Sequence, residues 1–323
     1  MRRRDLLGLS AGAIFGLTFA PPVVQAKAFI DSAGRRIDVP DAIRRIFPAG
    51  PPASVTLFAV APDKMLGWTR DPGPEALPFL PARYAELPEI GRLTGRGNTV
   101  NLENVVRLAP DLVLDVGSMT GTYVSLADQV QEQTHIPAVL IGGRLAETAT
   151  TLRTVGGLLG VPKRPEALAR YAETVLGGVQ AAVAGSIASE VVDLVGARNV
   201  VGKDIGPRAI VDASPEQILA WQPDVILTVD RRFYAAARTD PVWREVKAVQ
   251  AEHIHFVPDL PFSWFDNPPA ANRLIGLLWL GKLLYPASFP QDIRAEARRF
   301  YALFYQQEPT DVQLAELLAN PPA

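Results

Sequence analysis

The sequence predicts an α/β fold of two lobes, each a mainly parallel sheet flanked by helices, joined by a single long bridging helix. Three observations carry this. A helix-to-strand unit occurs twice in the chain. Its strands are continuous apolar runs rather than alternating ones, as in parallel sheets covered on both faces. Between the two copies lies one uninterrupted helical stretch.

The repeat pairs NLENVVRLAPDLVLDVG, from Asn101 to Gly117, with SPEQILAWQPDVILTVD, from Ser214 to Asp230. The offset is constant, so Asn101 matches Ser214, Glu103 matches Glu216, Pro110 matches Pro223 and Asp111 matches Asp224. Each copy reads as an N-cap residue, a short amphipathic helix, a Pro-Asp breaker and a strand, Leu112-Val113-Leu114 or Val225-Ile226-Leu227. A weaker match pairs SVTLFAVAPDKMLGW, from Ser54, with SEVVDLVGARNVVG, from Ser189. Further strands are expected at Arg45–Pro48, Ala138–Ile141 and His253–Val257, and LAETATTLRTVGGLLGV and PAANRLIGLLWLGKLLY have helical apolar spacing.

PEALARYAETVLGGVQAAV, from Pro165 to Val183, opens on a proline at a helix start and reads as the bridge. A helix of that length spans roughly 25–30 Å and is stiff. The expected division is residues 27–162 for the first lobe, 163–184 for the bridging helix and 185–323 for the second lobe. The second lobe is expected to lack its first strand. Where the first lobe has Arg45-Ile46-Phe47-Pro48 ahead of Ser54, the second has only QAAVAGSIA ahead of Ser189, and alanine suits helices better than pleated sheet.

Composition narrows the function. The chain has 323 residues, 48% hydrophobic and 20% charged, enough for two cores. A net charge of -2 and a single basic run, Arg2-Arg3-Arg4, argue against nucleic acid. With no cysteine there is no disulfide framework, thiolate metal site, cysteine nucleophile or lipoprotein anchor. Residues 1–26 have the layout of an export signal cleaved after Ala26: a basic start, an apolar run from Leu6 to Ala20, then small residues. Arg3-Arg4-Asp5-Leu6-Leu7 resembles a twin-arginine signal, with general secretory export as the alternative. No later segment is apolar for the eighteen or so residues a spanning helix needs.

Catalytic signatures are missing. His135 closes a helix, and His253 and His255 share a strand face without a third ligand nearby. No G-x-S-x-G, H-E-x-x-H or phosphate-loop pattern occurs. The expectation is a protein that is not an enzyme and carries no cofactor. In open α/β sheets ligands lie beyond the carboxyl ends of the strands. The loops there are Gly91–Thr99 with Arg92 and Arg96, Gly117–Tyr123, Phe262–Asp266, and the turn holding Arg231, Arg232 and Tyr234. Arginine forks suit anionic oxygens, and aromatic rings give rigid apolar faces.

Two α/β lobes bridged by one helix, each with an [NS]-x-E-x-[IV] helix, Pro-Asp and an apolar strand, resemble the periplasmic binding proteins for ferric siderophores, haem and cobalamin. The resemblance covers about residues 40–290, and PFSWFDNPPAANRLIGLLWLGKLLYP looks like the late loop and closing helix of one branch of that family. It implies a soluble, monomeric periplasmic component of an ABC importer that binds an iron chelate or related complex between the lobes. It further implies Arg92 as anion ligand, Tyr123 as the matching loop aromatic and Trp264 opposite them, with Arg96 and Arg231 on neighbouring loops. Glu103 and Glu216 are implied to dock on the two permease subunits of a transporter driven by its ATPase. The alternatives are cobalamin, haem or an oxyanion such as molybdate as ligand, a degenerate relative that no longer binds tightly, and a periplasmic enzyme or metal carrier on the same fold.

Overall fold

A computed structural model describes residues 26–95, 97–177, 190–201 and 213–320. The chain opens on a hairpin that the sequence reading did not anticipate, β1 (Ala26–Ile30) antiparallel to β2 (Arg36–Pro40). Asp31 builds its turn, accepting from the Ala33 and Arg35 amides at 3.0 Å, with Gly34 at φ +78° closing it. Asp31 also accepts from Leu140 N, and Arg35 reaches Asp128 and the Ala138 carbonyl, so the hairpin is clamped to the sheet beside it.

That sheet is parallel, in the order β3 (Ile46–Pro48), β4 (Leu112–Gly117), β5 (Ala138–Gly142). The apolar runs are buried on both faces, as expected of such strands. Around them lie α1 (Pro51–Val60), the short α2 (Ala82–Ala85), α3 (Leu102–Arg107), α4 (Gly121–Thr134) and α5 (Thr148–Leu158). α6 (Lys163–Gly177) is the described part of the expected bridge, 15 residues or about 22 Å long. It buries Leu168, Ala169, Tyr171, Ala172 and Val175, packing against α5 and α1. From its first turn Arg164 donates to the Ala59 carbonyl at the end of α1 and to Leu303 O.

After α7 (Glu190–Leu194) come α8 (Pro215–Trp221), β6 (Ile226–Thr228), α9 (Arg231–Ala236), α10 (Lys247–Gln250) and β7 (Ile254–Phe256). Strands β6 and β7 pair in parallel over a smaller core of Tyr234, Ala237, Val246, Val249, Ile254 and Phe256. The stretch ahead of Ser189 where the second lobe is expected to lack its first strand lies outside the described residues. α11 (Arg273–Leu284), α12 (Ile293–Phe300) with its π-turn Tyr301–Tyr305, and α13 (Asp311–Leu318) complete the chain. They return to the large core, where Phe262 meets Trp68 at 5.8 Å and Phe58 meets Tyr305 at 6.2 Å between ring centroids.

The two copies of the repeated unit fold as read. Asn101 caps α3 by accepting from Asn104 N at 2.9 Å, and Ser214 forms a capping box with Gln217 on α8. Their Pro-Asp corners diverge. Asp111 accepts from the amides of Arg44 and Arg45 at 2.7 and 2.9 Å, fastening the entry to β3. Asp224 instead pairs with the Lys247 side chain.

One buried ion pair joins segments far apart in sequence. Glu190, at the start of α7 and 1% exposed, lies 2.9 Å from Arg273, at the start of α11 and 2% exposed. The same carboxylate accepts from Leu145 N at 2.7 Å, and Arg273 donates to the Gly143 carbonyl at 2.7 Å. Removing one partner leaves the other buried without adequate compensation. Arg273→Met is therefore expected to lower the free energy of unfolding by about 3–5 kcal/mol, read by chemical denaturation.

Candidate functional site

The carboxyl edge of the larger sheet is built from three strand ends. β3 runs out through Ala49-Gly50 into α1, β4 through Gly117–Thr120 into α4, and β5 through Gly142-Gly143 into Arg144. The last two ends touch: Gly143 N donates to Gly117 O at 2.9 Å, and a Cβ on Gly143 would sit 2.7 Å from the Gly117 Cα. Only glycine permits that approach, so the edge here is bare backbone.

The Gly91–Thr99 loop is fixed beside β3. The amides of Leu93 and Thr94 both donate to the Ala49 carbonyl, at 2.8 and 2.9 Å, and Thr99 N closes the loop onto Arg92 O at 3.0 Å. A Cβ on Gly50 would lie 2.3 Å from Thr94 Oγ1, which is how closely the loop covers the start of α1. Arg92 therefore stands at the strand ends, as the sequence placed it. Its Nε curls back to the Gly97 carbonyl at 3.0 Å. Arg96 lies outside the described residues.

Tyr123, in the first turn of α4, is half-buried and lines a narrow cavity with Thr94, Asp115 and Leu93. At about 10 Å³ this cavity is at the lower limit for a single water. Across the smaller sheet, Arg231 opens α9 after the N-cap Asp230. Its guanidinium rests 4.7 Å over the Phe256 ring and 3.9 Å from Asp259. Arg232 beside it is exposed, whereas Tyr234 is buried with its hydroxyl taken by Arg238 at 2.6 Å. Glu103 and Glu216 are both exposed in the first turns of α3 and α8. The Ser214 hydroxyl, and then its own amide, hold the Glu216 carboxyl below the usual range.

Trp264 corrects the expectation that it faces a ligand. It is 0% exposed, and its indole N–H meets the Tyr301 hydroxyl at 3.1 Å. The reason is the fold of the segment after β7, which turns into the large core. There Gly276 of α11 lies so close that a Cβ would fall 1.8 Å from Trp264 O. The polar tip of the ring finds its partner inside the protein.

Three polar groups at these edges escaped the sequence reading. Arg144 follows two glycines at the end of β5, with 45% of its side chain exposed, and approaches Glu190 at 3.1 Å. Asp259 follows β7, and burial raises its carboxyl, opposed by Arg231 and reinforced by Glu75. Asp115 interrupts the apolar run of β4 and is 7% exposed. Burial pushes its carboxyl up to about 6, against the hydrogen bonds from Thr94 at 3.2 Å and Val116 N at 3.0 Å that favour the anion. The available signal was a lone carboxylate in LVLDVG and an arginine placed directly after Gly142-Gly143.

The histidines form no metal site. His135 occupies the left-handed position closing α4. His253 and His255 stack with centroids 6.4 Å apart, and among the described residues no group of three His, Cys, Asp or Glu side chains is placed to hold an ion. No helix among them is long and apolar enough to cross a membrane.

No family model and no curated protein matches the sequence. Solved structures match over nearly the whole chain. An ABC transporter solute-binding protein from Sulfurospirillum deleyianum has a TM-score of 0.75 at 25% identity, covering 90% of this chain and 98% of its own. A periplasmic solute-binding protein from Veillonella parvula reaches 0.70 at 21% identity, covering 91% and 97%. The molybdate-bound periplasmic binding protein of a Haemophilus influenzae ABC transporter reaches 0.67 at 18% identity, covering 88% and 99%. Further matches, at 16%, 20% and 16% identity, are named for a nickel–histidine complex, haem and ferric hydroxamate. The chain has the fold of periplasmic solute-binding proteins of ABC transporters.

Asp115 gives this edge a pH signature. Its carboxyl binds a proton more tightly folded than unfolded, because about 6 exceeds the ordinary 3.8. Ionisation therefore costs stability, and that cost builds as pH rises through the interval between the two values. Relative to the parent, Asp115→Asn is expected to gain about 2 kcal/mol of stability between pH 4 and pH 8, measured by urea unfolding at each pH.

Proposed function

We propose that this protein is the solute-binding component of an ABC importer, exported by its N-terminal signal. It takes a metal chelate of the siderophore type at the carboxyl edges of its two parallel sheets. The observation that carries the reading is the near-complete structural match to a solute-binding protein at 25% identity. The paired helix–strand units, each presenting an exposed first-turn glutamate, support it. On this reading α6 begins the bridge between the lobes, and the protein acts as a monomer without catalysis. Arg92 and Tyr123 bind from the first lobe and Arg231 from the second, with Arg96 completing the glycine-rich loop.

Native mass spectrometry of protein isolated from its own cell envelope tests this directly. A bound chelate is expected. Protein that arrives empty and then titrates with none of a panel of ferric, nickel, haem, cobalamin and oxyanion ligands would overturn the reading.

The transport half of the proposal rests on Glu103 and Glu216. Two exposed carboxylates at matching positions offer a bivalent contact to arginines of a two-subunit permease, one that weakens with salt. Replacing both with alanine is expected to leave ligand affinity in solution intact and abolish uptake, while each single change gives a partial loss. Normal uptake by the folded, exported double variant would leave these glutamates with only their favourable place at a helix N-terminus.

A further inference from the structure

Arg144 is held in an unusual way for a surface arginine. Its partner Glu190 is almost wholly buried and is already answered by Arg273 at 2.9 Å, itself buried. Glu190 also takes the Leu145 amide on Oε2, and Arg273 donates to the Gly143 carbonyl, while Glu190 Oε1 is buried without a hydrogen-bond partner among the described residues. Arg144 comes in at 3.1 Å as a second cation beside Glu190, while the Asp266 carboxylate acts electrostatically on Arg273, so two guanidiniums share two carboxylates. Arg144 is the cation of this group that solvent reaches, with 45% of its side chain exposed, against 2% for Arg273.

Position gives that exposed cation a use. Arg144 is the first side chain beyond Gly142-Gly143, and β5 ends there against Gly117 at the end of β4. A ligand at this edge meets backbone, with no side chain interposed, and the arginine beside it. The one carboxylate near Gly142, that of Glu147, approaches on the same side as Ser32 of the hairpin turn. A guanidinium held beside a carboxylate by charge keeps the donors of its planar fork for a second acceptor.

We propose that Arg144 binds an anionic oxygen group of the solute, a carboxylate, phosphate or oxyanion, with buried Glu190 as its positioning residue. The inference rests on the solute-binding reading and adds the charge of the ligand to it. It also makes the loop after β5 a part of the site that Arg92, on the far side of β4, does not supply.

The test is isothermal titration of the full mature protein, its Arg144→Ala variant and its Arg144→Lys variant. The probes are ferric citrate, an anionic chelate, and a neutral ferric trihydroxamate, each at two salt concentrations. Wild type is expected to prefer the anionic chelate. Arg144→Ala should weaken that chelate at least tenfold and flatten its salt dependence. Arg144→Lys should recover part of the loss, since it returns the charge without the fork. Equal affinity of Arg144→Ala and wild type for ferric citrate would overturn the proposal, as would a lysine variant no better than alanine. Wild type that binds only the neutral chelate overturns the anion subsite and leaves the solute-binding reading standing. Wild type that binds neither overturns the anion subsite, and the solute-binding reading falls with it only if the wider ligand panel above also fails to bind.

Discussion

A carboxylate buried to 1% exposure has to be matched by a cation that is equally dry, and this constraint fixes how distant parts of the chain meet. Glu190 opens α7, Arg273 opens α11, and the Gly143–Leu145 turn closes β5, so the pair ties three elements to a single point. The geometry tolerates little error, because the Glu190 Oε2 that meets Arg273 also takes the Leu145 amide, and Arg273 also donates to the Gly143 carbonyl. An apolar contact in the same place would hold the elements together without fixing their angle. A hydrogen-bonded charge pair sets both distance and orientation, and that suits a point where the sheet edge passes into the rest of the molecule.

The aromatic core beside it works by another principle. Phe58, Trp68, Phe262, Phe300, Tyr301 and Tyr305 interlock through tilted and edge contacts, and their hydroxyl and indole groups are satisfied mainly from within. Burial raises the phenols of Tyr301 and Tyr305 well above the ordinary range, so both stay neutral at any ordinary pH; Tyr301 donates to the Leu260 carbonyl, while the Tyr305 hydroxyl has no hydrogen-bond partner among the described residues. This core takes in residues from α1 as well as from α12, which makes the C-terminal helices part of the frame around the first sheet.

What the sequence made legible followed from local rules. The N-caps Asn101 and Ser214, the Pro-Asp corners and the unbroken apolar strands each have a short-range cause, and all fold as their pattern requires. The hairpin β1–β2 was missed because its specificity lies in one residue, Asp31, whose partners at Arg35 and Leu140 are distant or side-chain contacts. Trp264 was misplaced for a related reason: a tryptophan in a polar, proline-rich loop reads as a surface ring until Tyr301, far along the chain, is seen to meet it. Arg144 and Asp115 were overlooked because burial of a partner, or of the group itself, is what gives each its meaning. Sequence alone does not show that Glu190 is dry.

The two halves of the repeat show how duplication and divergence divide the work. In the first copy Asp111 spends its carboxylate on the amides leading into β3, and the resulting three-stranded edge is stiff enough to hold glycines in close contact at Gly117 and Gly143. In the second copy Asp224 turns outward to Lys247, and the described strands β6 and β7 end in charged side chains, Arg231 and Asp259, rather than bare backbone. One edge therefore offers shape and a fixed positive charge. The other offers a cation and a carboxylate 3.9 Å apart. On the proposal that an anionic solute binds at these edges, each would present an arginine that already stands beside a carboxylate. The difference lies in that carboxylate: Glu190 is 1% exposed and held by Arg273, whereas Asp259 is 29% exposed, so Arg144 has the more firmly placed neighbour and less ordering is left for binding to supply.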